Sequence, residues 1–349
     1  MAELVVAGAG MAGLVAAARA RELGADVVVH EKGDRPGGSM RLSSCVVWRY
    51  RDWETFRAEC PGGDPALQRV VWEGLDDALA WLESLGAPVV ARDTGNPGTA
   101  GLRFDPEGLT EVLVRRAGEL RLESPLKELP DGAPTVLTTG GFQGDAELVA
   151  RYITPEPLLL RANPWSAGDG LRLALGRGAE TSTGLDEFYG RNMAAVPRAL
   201  EPGEFVALAQ VYARCATVEN ASGERFEPRH WADLDVVQWT ARQPGGRAWY
   251  VVPDAALGER VRERTVGELV EAARAAGAAV ERVDGAVRVP VAAAITATLG
   301  GIRVDERARA GDGLWAAGAD VGGVSTGGWS SALAAALVLG RVAAEDAVG

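Results

Sequence analysis

Leu4-Val5-Val6-Ala7-Gly8-Ala9-Gly10-Met11-Ala12-Gly13 is the stretch that decides the fold. Four apolar residues run straight into a glycine-rich turn, the pattern of a strand buried on both faces of a parallel sheet. Leu14 to Leu23 is rich in alanine, gathers Arg19, Arg21 and Glu22 late, and is followed by Gly24, which predicts a helix with a glycine at its C-terminal end. Asp26 to Glu31 reads as a second buried strand. Strand, Gly-x-Gly-x-x-Gly, helix and strand form one βαβ unit of a doubly wound sheet. In such a unit Gly8 permits the tight turn, Gly10 lets a pyrophosphate approach the backbone, and Gly13 lets helix and strand pack closely. Met11 and Ala12 begin the helix, whose free N–H groups and positive dipole end suit phosphate. Glu31 closes the second strand 18 residues after Gly13, where a carboxylate accepts hydrogen bonds from ribose hydroxyls.

The residues that follow separate two kinds of dinucleotide. Lys32 is succeeded by Gly33-Asp34-Arg35-Pro36-Gly37-Gly38-Ser39, with further hydroxyls at Ser43 and Ser44. A nicotinamide domain has no need of this second close-approach loop. A cofactor extending beyond the pyrophosphate, a flavin dinucleotide, does.

Composition narrows the rest. The 349 residues allow two or three domains. Acidic residues outnumber basic ones, 48 to 36, for a net charge of −12, which disfavours nucleic acid and anionic membrane as main partners. Cys45, Cys60 and Cys215 lie far apart, which argues against a disulfide framework or a zinc site and fits a reducing cytoplasm. His30 and His230 are the two histidines, too few for a three-histidine metal centre, so no metal is expected. The apolar start lacks a basic n-region, and Ala332 to Gly340 falls short of the ~18 residues of a membrane span. The chain reads as soluble and cytoplasmic.

Along the chain, residues 64–118 carry helical periodicity, with Leu75, Ala78, Leu79 and Leu82 on one face. Thr135 to Thr138 reads as a short buried strand ending at Gly140-Gly141, Leu171 to Leu175 as helix, and Ser331 to Ala344 as a final helix. Ile302-Arg303-Val304 and Leu314-Trp315-Ala316 read as short strands. The mixed stretch 188–288 reads as a separate α+β module, so the expected organisation is a Rossmann-type domain over 1–187 and 289–349, interrupted by that module.

Together these pieces resemble the FAD-binding flavoproteins of the fumarate reductase, succinate dehydrogenase and 3-ketosteroid Δ1-dehydrogenase group. The resemblance is carried by Gly8 to Gly13, Glu31-Lys32 with Gly37-Gly38-Ser39, Thr139-Gly140-Gly141-Phe142, Gly168-Asp169-Gly170, Thr298-Leu299-Gly300-Gly301, Ala316-Ala317-Gly318-Ala319-Asp320 and Gly327-Gly328, in family order. It implies FAD in a doubly wound domain, a capping domain, and an active site between them. The strand end would set Asp320 or the Ala319 amide against the ribityl chain. Ser330 and Ser331 would open a helix whose dipole favours negative charge on a reduced flavin. Family members with covalent flavin use a histidine after the Gly-Gly pair. None occurs from Glu31 through Arg229, which points to non-covalent FAD.

The departures fall where the family holds substrate. No histidine stands just before Thr298-Leu299-Gly300-Gly301, where the stretch reads Ala294-Ile295-Thr296-Ala297, and no arginine lies between Arg309 and Arg341. Candidate acids and anchors are Tyr189 and Arg191, in what reads as a glycine-containing loop, with Arg229, Arg242 and Tyr250. Trp165, Trp239 and Trp329 are candidate pocket walls. Two function classes follow. One is a flavin oxidoreductase forming or reducing C=C beside a carbonyl or carboxylate of a small substrate, with an external electron donor or acceptor. The other is an FAD-retaining binding or assembly module without turnover.

Overall fold

The computed structural model describes residues 3–227, 233–261 and 263–349. The chain divides into two compact units. One comprises Met1–Asp145, Asn163–Glu187 and Ala297–Gly349; the other comprises Ala146–Ala162 and Phe188–Thr296.

The first unit is built on a six-stranded sheet in the order Arg309–Gly311, Leu314–Ala316, Thr135–Leu137, Leu4–Ala7, Val27–His30, Glu119–Arg121. Leu4–Ala7 is parallel to both neighbours, with Val5 opposite Val28 on one side and Thr135 on the other. Every residue of Leu4–Ala7, Thr135–Leu137 and Leu314–Ala316 is buried, as strands covered on both faces require. The strand order turns at Leu4–Ala7. Its helix, Met11–Glu22, leads to Val27–His30 on one side, while Thr135–Leu137 joins on the other. Such a switch point leaves a crevice at the carboxyl ends of adjacent strands. Here those ends are the Gly8–Gly13 and Thr138–Gly141 turns.

Small residues let the surrounding helices come close. Met11–Glu22 packs on the terminal helix Ala332–Val348, and a Cβ on Gly340 would stand 2.7 Å from the Ala12 carbonyl oxygen. Pro65–Ser84 packs on the same terminal helix and buries Leu75, Ala78, Leu79 and Leu82. Asp64 caps its start by accepting from the Ala66 and Leu67 N–H groups. Among the described residues no helix is long and apolar enough to cross a membrane.

Three expectations need correction. The helical stretch 64–118 also contains the strands Val89–Ala91 and Thr99–Phe104, which join Val46–Tyr50 in an antiparallel sheet. Ile302 makes isolated bridges to Thr181 and Val321 and does not begin a strand. The inserted segment is not 188–288. Ala146–Ala162 belongs with it, and it runs on to Thr296. The cause is one 13-residue strand, Ala286–Thr298, which pairs with Arg247–Pro253, Glu281–Val283, Leu159–Leu160 and Phe188–Ala194. The core of this second unit gathers Tyr212, Tyr250, Val289, Val291 and Leu269.

The Gly340 contact is testable. Gly340→Val sets a branched side chain against the Ala12 carbonyl, and overpacking of this kind costs about 1–3 kcal/mol. A lower unfolding temperature is expected by calorimetry. Gly176→Ala, where a Cβ meets no atom within 4 Å, should leave it unchanged or slightly raised.

Candidate functional site

The three glycines of the first turn do different work. Gly8 holds φ +105°, and a Cβ there would lie 2.3 Å from the Thr138 carbonyl oxygen. A Cβ on Gly13 would lie 1.9 Å from the Gly8 oxygen and 2.5 Å from Thr138 Oγ1. Both must be glycine for the protein's own packing. Gly10 differs: its φ of −77° suits any residue, and a Cβ there would meet nothing within 4 Å. The space above Gly10 is open, at the N-terminus of a 12-residue helix with no acidic residue in its first turn. A diphosphate fits that combination of open backbone, dipole and unpaired N–H groups. Met11, Ala12 and Gly13 are buried in the opening turn.

Glu31 is 7% exposed, and its carboxylate accepts from the Ala9 N–H at 2.7 Å and the Gly33 N–H at 2.6 Å. It ties the first turn to the following loop, and its remaining lone pairs can accept ribose hydroxyls. The second loop sits directly on the first. The Gly37 N–H donates to the Ala9 carbonyl at 2.7 Å, and a Cβ on Gly38 would lie 3.2 Å from the Gly10 Cα. Lys32 donates to Asp169 at 2.8 Å. Ser39, Ser43 and Ser44 are exposed; Ser43 also closes its own turn, donating to the Met40 carbonyl and accepting from the Cys45 N–H. Trp165 lies across Gly33, its ring where a side chain would stand.

The Asp320 side chain turns into the protein. It is 1% exposed, and its carboxylate accepts from the Thr139 N–H, from Thr139 Oγ1 at 3.0 Å and from the Gly141 N–H at 3.0 Å. Burial pushes its pKa up to about 6, against the lowering effect of those hydrogen bonds. Its partners in turn hold the next motif. Thr139 Oγ1 accepts from the Gly170 N–H at 2.9 Å, and the Gly141 carbonyl accepts from the Gly168 N–H at 2.8 Å. Gly140 and Gly141 both have positive φ, and a Cβ on Gly140 would strike Ser166. Gly318, at φ +71°, packs on Ala12 and leads through Ala319 into Asp320. Ser331 caps the terminal helix by accepting from the Ala334 N–H, and Ser330 is bonded to Ser325 at 2.7 Å. Thr138 was not singled out from sequence. Its Oγ1 donates to the Ala7 and Gly8 carbonyls and lines Gly13.

The family model described as FAD binding domain matches residues 3–123 and 126–331. The chain belongs to the FAD binding domain family. Among solved structures it is similar to the open conformation of a flavocytochrome c3 fumarate reductase, with TM-score 0.74 and 22% identity over 99% of this chain and 78% of that one. It is also similar to a 3-ketosteroid-Δ4-(5α)-dehydrogenase from Rhodococcus jostii, with TM-score 0.72 and 18% identity over 100% of this chain and 97% of that one. A 3-ketosteroid Δ1-dehydrogenase from Sterolibacterium denitrificans gives TM-score 0.71 at 16% identity, over 99% of each chain. At these identities the likeness is one of fold. No curated protein sequence matches the chain.

In this FAD binding domain protein the candidate proton-transfer residues fall in the second unit. Tyr189 and Arg191 lie on the strand Phe188–Ala194, not in a loop. Two residues apart, they share one face, and the Arg191 guanidinium sits 4.9 Å from the Tyr189 ring centre. Tyr250 is a core residue: 1% exposed, it accepts from Asn192 Nδ2 at 3.0 Å and packs edge-on against Tyr212 at 5.4 Å. Arg242 is exposed and donates to the Gln238 carbonyl at the end of its helix. Arg229 and His230 lie outside the described residues. Trp239 packs on Phe226, and the Trp329 carbonyl accepts from the Tyr50 hydroxyl. Among the described residues no group of three or more His, Cys, Asp or Glu could hold a metal ion.

Three substitutions separate these roles. Gly10→Ser should leave the unfolding temperature of FAD-free protein unchanged or raised, since serine is a good N-cap, while FAD affinity in a fluorescence titration drops about tenfold or more. Gly13→Ala should instead lower the unfolding temperature. Tyr250→Phe strands a buried Asn192 donor, so unfolding stability should fall by about 1–3 kcal/mol with kcat/KM unchanged.

Proposed function

We propose that this protein is an FAD-dependent oxidoreductase that forms or reduces a C=C bond next to a carbonyl or carboxylate of a small organic substrate. The carrying observation is the open backbone at Gly10, framed by two glycines that the protein needs for its own packing. Support for the reaction class comes from the shared fold: the relatives named above are a fumarate reductase and two ketosteroid dehydrogenases. In this reading the Gly8–Gly13 turn and its helix hold the pyrophosphate, Glu31 holds the ribose, and the Gly37–Gly38 loop and the Thr139–Gly141 turn fix the rest of the cofactor. FAD held there supplies hydride chemistry at N5. Of the described candidates, Tyr189 and Arg191 carry the proton-transfer and anion-binding roles, as neighbours on one face of the strand Phe188–Ala194. No histidine is available beside the Gly37–Gly38 loop to tether the flavin, so it is held without a covalent bond. With no second dinucleotide fingerprint in the sequence, electrons come from or go to an external partner.

Purified protein should be yellow, release FAD into the supernatant on acid precipitation, and change flavin absorbance anaerobically with a member of a panel of enones, unsaturated acids and their saturated counterparts. Colourless protein that cannot be reconstituted with FAD would end the flavin reading. Retained FAD that stays inert across the panel, with external donors and acceptors supplied, would favour the binding-module alternative. The missing histidine before Gly300 and missing arginine before the terminal helix motivate that alternative.

A further inference from the structure

We propose that Asp320 is a positioning residue: its buried carboxylate clasps the Thr139–Gly141 turn, and its ionised form is the one that lets the first unit hold FAD tightly. The proposal rests on the FAD reading above. The carboxylate is spent inside the protein, on the Thr139 N–H, Thr139 Oγ1 and the Gly141 N–H. It therefore acts on a cofactor through the turn. The clasp also joins the other motifs of the unit. Gly170 must lack a side chain because a Cβ would stand 2.6 Å from Asp320 Oδ2, and the Asp320 carbonyl accepts from the Ile302 N–H at 2.7 Å. A carboxylate offers only acceptors to these donors. A carboxylic acid turns an O–H toward N–H groups, and the turn loosens.

Charged groups on the segments that carry Gly170 and Ile302 are paired with others: Asp169 with Lys32 at 2.8 Å, Arg172 with Asp145 at 2.5 Å, and Arg303 with Glu180 at 2.7 Å. The Thr139–Gly141 and Gly318–Asp320 turns contribute no other charge. What raises the Asp320 pKa from 3.8 to about 6 is burial, opposed by its hydrogen bonds alone. The sign for folding runs opposite to that for FAD. A carboxyl raised in the folded state contributes stability that is present in acid and lost as pH rises through 3.8 toward about 6. Release of FAD in mild acid through this group is therefore not acid unfolding.

The test is FAD affinity of the full chain from about pH 5 to about pH 8, by fluorescence titration, with the fold followed by circular dichroism. Wild type should bind evenly above about pH 6 and lose about tenfold in affinity per pH unit below it, as one proton is taken up. Asp320→Asn should bind more weakly at neutral pH and lack that slope; the comparison holds His30 constant. Thr139→Val removes a hydrogen bond that favours the carboxylate, so the midpoint should move to higher pH. A flat wild-type profile, the same slope in Asp320→Asn, or an unmoved midpoint in Thr139→Val would each overturn the proposal. Wild type that fails to bind FAD at any pH overturns the FAD reading as well, whereas binding with a flat profile overturns the proposal alone.

Discussion

In the first unit two strand ends approach each other backbone to backbone. The turn after Leu4–Ala7 and the residue after Thr135–Leu137 meet so tightly that a single methyl on Gly8 or Gly13 would overlap backbone. Thr138 Oγ1 fastens the contact by donating to the Ala7 and Gly8 carbonyls at 2.8 and 3.0 Å. The turns proposed for the dinucleotide in the first unit are referred to this junction. It aims the start of Met11–Glu22 at the switch point, and Gly37 then bonds to Ala9 and Gly318 rests on Ala12. Loss of the close approach would shift a helix N-terminus, and with it every N–H that could face a phosphate.

How much of this was legible follows from range. The Gly8–Gly13 turn, its flanking strands and Glu31 are local in sequence, and their glycines are dictated by conformation and contact within a few residues. The terminal helix was readable for the same reason. The bounds of the inserted unit were not. Ala146–Ala162 is assigned to it by pairing between Leu159–Leu160 and Ala294–Ile295, more than a hundred positions away, and no local pattern encodes that. The strand Thr99–Phe104 was hidden in a helical stretch because its pairing with Val46–Tyr50 outweighs weak local preference.

The candidate site shows the same division. Backbone positions such as Gly10 and Gly141 could be located from motif order. The direction of a side chain could not. Asp320 lies in a motif that resembles a cofactor contact, yet it turns inward to three donors of the Thr139–Gly141 turn. Tyr250 carries a hydroxyl suited to proton transfer, yet it alternates on Arg247–Pro253 to the buried face, where Asn192 is its partner. A polar residue on a buried strand face is satisfied by what lies across from it, and that neighbour comes from elsewhere in the chain.

Charge sharpens the argument about what holds an anion here. The protein carries a net charge of −12, and the cations of the loop after Glu31 each face an acid: Lys32 with Asp169, Arg41 with Glu107 and Arg35 with Asp34. A diphosphate drawing on Lys32, Arg35 or Arg41 would compete with these acids. The turn offers instead N–H groups at a helix start, held in place by glycine packing that no salt concentration alters. An exposed ion pair weakens with salt, since the screening length is about 8 Å at physiological ionic strength, but amide donors at contact distance are much less screened. Retention of an anionic cofactor in an acidic protein thus becomes a property of backbone geometry. The buried clasp at Asp320, fixed to the neighbouring strand end, is a device of the same kind: it orders backbone N–H groups of the Thr139–Gly141 turn as glycine packing orders those around Gly10.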